Sequence, residues 1–321
     1  MSEQNPLPKS ESSLRPLLPE VLTIIEHHQE WIKDCFEEFV DSIEIDSDAK
    51  WRDSARQHFD DPRRADFTQN KLEDIVLHRF DLRGAKFDSV QFENAVLNDG
   101  HLEYAYMPDS HLENAKLIDT HLEHAYLYKA NLEYAILRRS HLEYTNLNGS
   151  NLEHTILEGA YLEYSSLFGT HFEYADLSRV RLENAFMLDA YLESVILRGA
   201  HLEQSKLINA HLDNADLFRA HLQGTDFNKA TLLKTNASQA TFSGAKFFVT
   251  KIRSCDFSHA EFRHWKTKTD KGEDIIIETE GLYDSQFADC DLTGARLPEG
   301  VAKFESLAMM NESTKANKRL L

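Results

Sequence analysis

Residues 101–145 read HLEYAYMPDSHLENAKLIDTHLEHAYLYKANLEYAILRRSHLEYT, and every fifth residue of this stretch is large and apolar. The register runs from Phe67 to Phe262 over 40 consecutive positions, of which only Ala237 departs from Leu, Phe, Met or Ile. A small side chain stands two residues before nearly every one of them. A period of five fits neither a helix, which repeats every 3.6 residues, nor a strand, which repeats every two. The pattern therefore predicts a corner every five residues, with one large and one small residue pointing inward.

A five-residue unit cannot bury its apolar side alone, so its copies must stack on one another. The pattern resembles the signature of the pentapeptide-repeat family, A(D/N)LXX. Examples are Ala65-Asp66-Phe67, Ala130-Asn131-Leu132, Ala175-Asp176-Leu177 and Ala215-Asp216-Leu217. The resemblance implies an all-β solenoid, a right-handed quadrilateral β-helix in which four pentapeptides make one coil. We expect about ten continuous coils over residues 65–262, with a filled interior that leaves neither pore nor pocket.

The segments outside the repeat are predicted to cover and decorate the solenoid, because its open ends need protection. Residues 1–14 are predicted to be a disordered tail, and 15–64 an N-terminal helical cap built on an amphipathic helix that begins at Pro19. A β-hairpin insertion is predicted at 263–281. The last repeats follow at 282–298, and a C-terminal helix and tail at 299–321.

Composition excludes several classes of protein. With 35 Lys and Arg against 54 Asp and Glu, the formal net charge is −19. Direct binding to nucleic acid or to an anionic membrane is therefore not expected, since both need clustered basic residues. The three cysteines are far apart in sequence and odd in number, which argues against a disulfide framework and a CxxC metal site. Together with the polar first residues, this composition predicts a cytoplasmic protein.

The outward residues repeat every ten positions, in a unit that reads H-L-E-Y-A. Its glutamates form an acidic ladder: Glu93, Glu103, Glu113, Glu123, Glu133, Glu143, Glu153, Glu163, Glu173, Glu183, Glu193 and Glu203. On a four-sided coil this period places the ladder on two opposite faces, beside files of histidine and tyrosine. One interpretation is that the ladder keeps the solenoid soluble and its register fixed. The alternatives are a mimic of the nucleic-acid backbone and a histidine-based pH switch.

The family resemblance sharpens the mimicry hypothesis. Some pentapeptide-repeat proteins, including those that confer quinolone resistance, bind DNA gyrase or topoisomerase IV as acidic DNA mimics. The resemblance thus implies gyrase or topoisomerase IV as a candidate partner here.

A third face carries apolar side chains at outward positions. They are Tyr106, Tyr126, Tyr128, Phe168, Phe186, Leu188 and Ile208. Aromatic residues filed over several coils often mark an interaction surface, although stacking between coils is an alternative role. We predict that this face binds a protein partner or a second copy of the chain.

No nucleotide-binding, metalloprotease or serine-hydrolase motif occurs in the sequence. The carboxylates and histidines are expected on a convex, solvated surface, where neither a catalytic cleft nor a closed metal shell forms. We therefore predict no catalytic residues, no cofactor and no metal. The favoured function is a non-enzymatic scaffold that binds a protein partner through filed outward side chains. The alternatives are the acidic DNA mimic and a structural rod that assembles with itself, for example as a homodimer.

Overall fold

The computed structural model describes residues 19–42, 63–268, 274–280 and 289–296. The predicted tail 1–14 and the predicted C-terminal helix and tail 299–321 lie outside the described residues, as do parts of the predicted cap, insertion and last repeats. The chain divides into two compact units, Met1–Ile156 and Leu157–Leu321, called here the first and the second unit.

Both units are built from coils of twenty residues. The parallel bridges of the first described coil start at Asp66, Lys71, Val76 and Asp81, one in each pentapeptide. Each bridge is held by hydrogen bonds in both directions: the N–H of Phe67 donates to the carbonyl of Lys86 at 2.8 Å, and the N–H of Lys86 donates to that of Ala65 at 2.9 Å. The same pattern recurs in the second unit, as at Tyr161↔Arg181. Four short parallel rungs per coil make each unit a β-helix whose coils consist of four five-residue repeats.

A tight turn closes each pentapeptide. The N–H of the small residue donates to the carbonyl of the large residue three positions earlier, as from Ala95 to Phe92 at 2.9 Å. The residue before the small one adopts the left-handed conformation, for example Asn94 with φ +58° and Asn114 with φ +59°. Asparagine, aspartate and glycine suit this position, because they tolerate positive φ better than other residues.

The large residues of successive coils stack along the axis of each unit. The rings of Phe67 and Phe87 lie 5.3 Å apart in the first unit, and those of Phe242 and Phe262 lie 4.9 Å apart in the second. These side chains are fully buried, and the small residues are buried beside them. Burial of each Leu or Phe contributes roughly 1.5–3 kcal/mol of hydrophobic stabilisation, so a unit is stabilised by many equal increments.

Serine and threonine at the small position satisfy their hydroxyl groups inside the coil. Ser140 Oγ donates to the carbonyl of Leu137 at 2.7 Å, and Thr145 Oγ1 donates to that of Leu142 at 2.7 Å. A buried hydroxyl without a partner would be costly. The local acceptor explains why these residues can replace alanine in the core.

The first unit also contains helix α1, Pro19–Ser42. Proline suits the first helical position, since its missing N–H is not needed there, and Glu20 in the first turn complements the helix dipole. Val21, Ile25, Trp31 and Phe36 are buried on one face of the helix. None of the described helices is long and apolar enough to cross a membrane.

The described residues of the second unit include four short strands. Strand β1 (Thr231–Leu233) pairs in parallel with β2 (Lys251–Arg253), as adjacent coils of the stack. Strand β3 (Trp265–Lys268) then pairs antiparallel with β4 (Asp274–Ile277). After this excursion the stack continues, because Asp291 bridges Asp256 and Arg296 bridges Glu261. Thirty-five residues here separate bridged positions that elsewhere lie twenty apart.

Candidate partner-binding surfaces

Helix α1 lies on the tyrosines of the first unit. Trp31, Phe36 and Tyr126 form a buried cluster, and Tyr104, Tyr106 and Tyr128 pack against it. The ring of Phe36 meets that of Tyr104 edge-on at 5.9 Å. We call these four tyrosines the tyrosine platform. Tyr126 is only 3% exposed, so the first-unit part of the predicted partner-binding face is covered by the chain's own helix.

Polar and cationic contacts fix α1 in place. His28 Nδ1 accepts a hydrogen bond from the N–H of Ala65 at 3.0 Å, and Gln29 Nε2 donates to the carbonyl of Asp81 at 2.5 Å. The guanidinium of Arg64 lies 5.5 Å from the ring centre of Trp31, and that of Arg83 lies 4.7 Å from that of Phe36. Cations over aromatic rings add attraction where water is excluded.

Burial shifts the ionisation of two groups at this contact. Burial, and next the charge of Arg64, lower the pKa of His28 to about 4. Burial also lowers the pKa of Arg64 to about 9. His28 is therefore neutral near pH 7, as its role as acceptor from Ala65 requires.

The remaining predicted partner-binding residues lie in the second unit and are more open. Phe168 is 52% exposed and Phe186 is 49% exposed, while Leu188 and Ile208 are half-buried. Phe186 bridges Ser166 on one side and Lys206 on the other. Phe168, Phe186, Leu188 and Ile208 are called here the second-unit aromatic surface. Phe248 was not among the predicted residues of this face. It is 40% exposed and falls in the same file of the repeat as Phe168.

The acidic ladder is less open than its sequence suggests. All twelve glutamates are half-buried. In the first unit, Oε1 of Glu103 lies 3.0 Å from His101 Nδ1 and Oε1 of Glu123 lies 3.0 Å from His121 Nδ1. In the second unit, Arg181 contacts both Glu163 and Glu183. Burial raises the pKa of Glu93 and of Glu193, so ionising these two carboxyl groups costs more free energy than it would in water.

Histidine rings stack beside the ladder. In the first unit the ring centres of His101 and His121 lie 4.9 Å apart and those of His121 and His141 lie 4.7 Å apart, with nearly parallel planes. In the second unit the rings of His201 and His221 lie 4.5 Å apart. This stacking follows from the repeat, because equivalent residues of successive coils lie directly above one another.

The repeat matches the model of a known protein family. The family model described as pentapeptide repeats matches in eight copies, over residues 63–99, 105–143, 145–184, 187–224, 196–232 and 220–264. These matches cover more than half of the chain. The chain therefore belongs to the pentapeptide-repeat family. No curated protein matches it.

Solved structures similar to the chain are also pentapeptide-repeat proteins. HetL from the cyanobacterium Nostoc sp. strain PCC 7120, described as involved in the regulation of heterocyst differentiation, is 25% identical with a TM-score of 0.43, over 77% of this chain and 92% of its own. QnrB1, a plasmid-mediated fluoroquinolone resistance protein, is 16% identical with a TM-score of 0.29, over 78% and 96%. A protein of the Arabidopsis thaliana thylakoid lumen is 23% identical with a TM-score of 0.24, over 37% and 65%.

Proposed function

We propose that the chain is a non-enzymatic pentapeptide-repeat scaffold that binds a protein partner through the second-unit aromatic surface. The observation that carries the proposal is the packing of α1 in the first unit. There the outward aromatic residues of the repeat already hold a helix through Trp31 and Phe36. The second unit has aromatic residues at the same positions of the twenty-residue repeat, and its two phenylalanines are about half exposed.

The contacts of α1 indicate what kind of partner suits such a surface. The helix offers large apolar side chains to the tyrosines and is flanked by cations of the repeat, Arg64 and Arg83. On the second-unit aromatic surface, Lys206 stands next to Phe186 in the adjacent coil. An amphipathic helix with aromatic residues on one face and acidic residues beside them would match both features, as helices bound in grooves commonly do.

The acidic ladder is the second candidate for the partner-binding surface. In that case the chain would mimic DNA and bind gyrase or topoisomerase IV. Its glutamates are half-buried, and many accept hydrogen bonds from histidine or arginine side chains. A partner that reads phosphates would have to compete with these internal contacts. This geometry supports the aromatic surface over the ladder as the main site of binding.

A capture experiment tests the proposal. Immobilised full-length protein is exposed to extract from its source cells, and the retained proteins are compared with those retained by Phe168→Lys/Phe186→Lys. The control is Ile196→Lys, at another exposed apolar residue outside this surface. We expect a specific partner to bind the wild type and the control but not the double variant.

The proposal fails if the double variant, shown by its thermal melt to be folded, retains the same partner. Light scattering on the same proteins separates self-assembly from partner binding. A wild-type dimer that the double variant converts to a monomer would assign this surface to a second copy of the chain.

A further inference from the structure

The histidines of the first unit form a continuous file on one face. His121 bridges His101 in the preceding coil and His141 in the following one. Their ring planes differ by only 11° and 5°, at centre distances of 4.9 Å and 4.7 Å. Between a third and a half of each side chain is exposed. Three imidazoles thus stand side by side at a solvent-facing edge.

Each of these rings is oriented by a glutamate of its own coil. The Nδ1 to Oε1 distances are 3.0 Å for His101–Glu103, 3.0 Å for His121–Glu123 and 3.3 Å for His141–Glu143. An ionised carboxylate only accepts hydrogen bonds, so Nδ1 carries the proton. The lone pair of a neutral ring is then on Nε2, which lies on the side of the ring away from the glutamate.

A carboxylate that holds Nδ1–H while Nε2 binds a metal is a recurring arrangement in metalloproteins, because it fixes the tautomer and raises the basicity of the ligand. Here the arrangement repeats in adjacent coils. One ring nitrogen of His101, one of His121 and a carboxylate oxygen of Glu103 lie within 4.8 Å of one another, and the same holds for His121, Glu123 and His141. The buried Oε2 atoms of Glu103 and Glu123 have no hydrogen-bond partner among the described residues, which adds negative potential beside the rings.

We propose that the histidine file of the first unit binds a divalent transition-metal ion through Nε2 atoms of neighbouring histidines, centred on His121. Imidazole ligands favour Zn²⁺, Ni²⁺ or Cu²⁺ over Mg²⁺ and Ca²⁺, which prefer oxygen. With metal–nitrogen bonds of about 2.0–2.1 Å, the two Nε2 atoms must approach each other by roughly 1–1.5 Å, and the rings must rotate out of their parallel stack so that both lone pairs point at the ion. Their exposure leaves room for that movement, and water completes the open coordination shell.

The second unit repeats the arrangement with two rings. His201 and His221 lie 4.5 Å apart with planes within 4°, and His201 Nδ1 lies 3.4 Å from Glu203 Oε1. Metal-ligating atoms of these three residues also lie within 4.8 Å of one another. The second unit therefore offers a separate pair of stacked imidazoles, in which His201 has a glutamate at Nδ1 and His221 is followed by Gln223 in place of a glutamate.

The repeat also supplies a matched control. His111 has the same contact with a glutamate, 3.2 Å to Glu113, but its neighbours in the adjacent coils are Gln91 and Asn131. Ligating atoms of His111, Glu93 and Glu113 also lie within 4.8 Å of one another, but a second imidazole is missing there, so His111 should not bind a metal through paired Nε2 atoms. Asparagine already occupies this repeat position at Asn131 and Asn151, so a His→Asn change should leave the coil intact.

The experiment is isothermal titration of full-length protein without an affinity tag, after treatment with a chelator, with ZnCl₂ and separately with NiCl₂ at pH 7.5. The proteins are the wild type, His121→Asn, His221→Asn, the two combined, and His111→Asn. We expect saturable binding by the wild type. Each single change at 121 or 221 should remove one site, the double variant should bind at least tenfold more weakly, and His111→Asn should match the wild type.

Binding should weaken sharply at pH 5.5, where protons compete for Nε2, and millimolar MgCl₂ should not displace the bound ion. Any of four results would overturn the proposal. The first is that the wild type shows no saturable binding. The second is that the double variant, shown by its thermal melt to be folded, binds like the wild type. The third is that MgCl₂ displaces the bound ion. The fourth is an equal loss in His111→Asn, since binding would then not depend on neighbouring histidines.

Discussion

At the scale of single residues, the corner of each pentapeptide requires a backbone conformation that the sequence pattern does not predict. The period of five predicts the two inward residues of each pentapeptide, but it places no restriction on the types of the other three residues. The structure gives the second residue after each large one a left-handed φ near +60°. Residues such as Tyr104, Arg139 and Val249 adopt it despite their side chains, so the interactions between coils must outweigh a local cost of about 1–2 kcal/mol per residue.

Val249 should be the most strained of these corners. A β-branched residue is an outlier at positive φ, and Val249 has φ +61° with its side chain 74% exposed. We predict that Val249→Asn raises the free energy of unfolding by about 1 kcal/mol. Thermal unfolding followed by circular dichroism measures the change.

Lys234 is the control for this prediction. It has a similar φ of +58° but no branch at Cβ, so Lys234→Asn should stabilise the protein less than Val249→Asn does. A Val249→Asn melting temperature equal to or below that of the wild type would contradict the account of the corner.

At the scale of elements, helix α1 shows what the sequence could and could not predict. Its spaced apolar residues predict an amphipathic helix that begins at Pro19, but they do not say which surface it covers. As an N-terminal cap, the helix is expected over the open end of the solenoid, at its first coil. The described residues of α1 contact that coil at Ala65 and then lie along the tyrosine platform. That choice depends on pairings between distant residues, such as Phe36 with Tyr104, which a periodicity does not encode.

Trp31 should be essential for the docking of α1. It is 2% exposed and packs against His28, Phe36 and Arg64. We predict that Trp31→Ala destabilises this contact by roughly 3–5 kcal/mol. Hydrogen exchange should then become faster in residues 19–36, while the coils around Leu142 keep their protection. Unchanged exchange in α1 would rule out this role for Trp31.

The docking of α1 should also weaken in acid. The pKa of His28 is lowered to about 4 from an ordinary value near 6.5, so the folded state favours the neutral ring. Its contribution is complete above about pH 6.5 and is lost as the pH falls towards 4, by roughly 3 kcal/mol at most. We therefore expect exchange in residues 19–36, corrected for its intrinsic pH dependence, to accelerate between pH 6.5 and 4.

His28→Gln tests the cause of that change. Glutamine can still accept the hydrogen bond from Ala65 through its side-chain oxygen, but it does not titrate. The variant should show a flat profile over the same range of pH. A slope as steep as that of the wild type would assign the acid effect to another group.

At the scale of the whole molecule, the sequence predicts the repeated coils well, because each pentapeptide carries its own signal. It does not predict pairings across the insertion. Cys255 and Cys290 are 35 residues apart, and the repeat does not predict a contact between them. In the structure the backbone nitrogen of Cys255 lies 3.4 Å from Cys290 Sγ. The strands β3 and β4 lengthen the connection, so that residues out of the twenty-residue register become neighbours. For a similar reason, the periodic pattern predicts the outward aromatic face but does not show that a helix covers the tyrosine platform.

The ladders should make the coils more stable at mildly acidic pH. Burial lowers the pKa of His121 and the hydrogen bond to Glu123 raises it, and the net shift is upward. The contribution of His121 to the free energy of unfolding is therefore present below about pH 6.5 and is lost as the pH rises through the pKa of the folded state. Burial raises the pKa of Glu93, which acts in the same direction. Burial lowers the pKa of His124, which acts in the opposite direction. In a background that replaces both His28 and His124, we expect a higher melting temperature at pH 5.5 than at pH 8.

His121→Asn and Glu123→Gln should each reduce that difference, because each removes one member of the pair. A melting temperature that is equal at the two pH values would show that the ladders do not respond to protonation.

The central claim, that the second-unit aromatic surface rather than the acidic ladder binds the partner, is tested most directly by one comparison of affinities. The dissociation constant of the captured partner is measured for wild type, Phe168→Lys/Phe186→Lys and Glu183→Gln/Glu203→Gln over a range of salt concentrations. We predict that the lysine variant weakens binding by at least about 30-fold and that the glutamine variant stays within about threefold. The reverse order, with wild-type affinity that falls steeply as salt rises, would contradict the claim and assign binding to the acidic ladder.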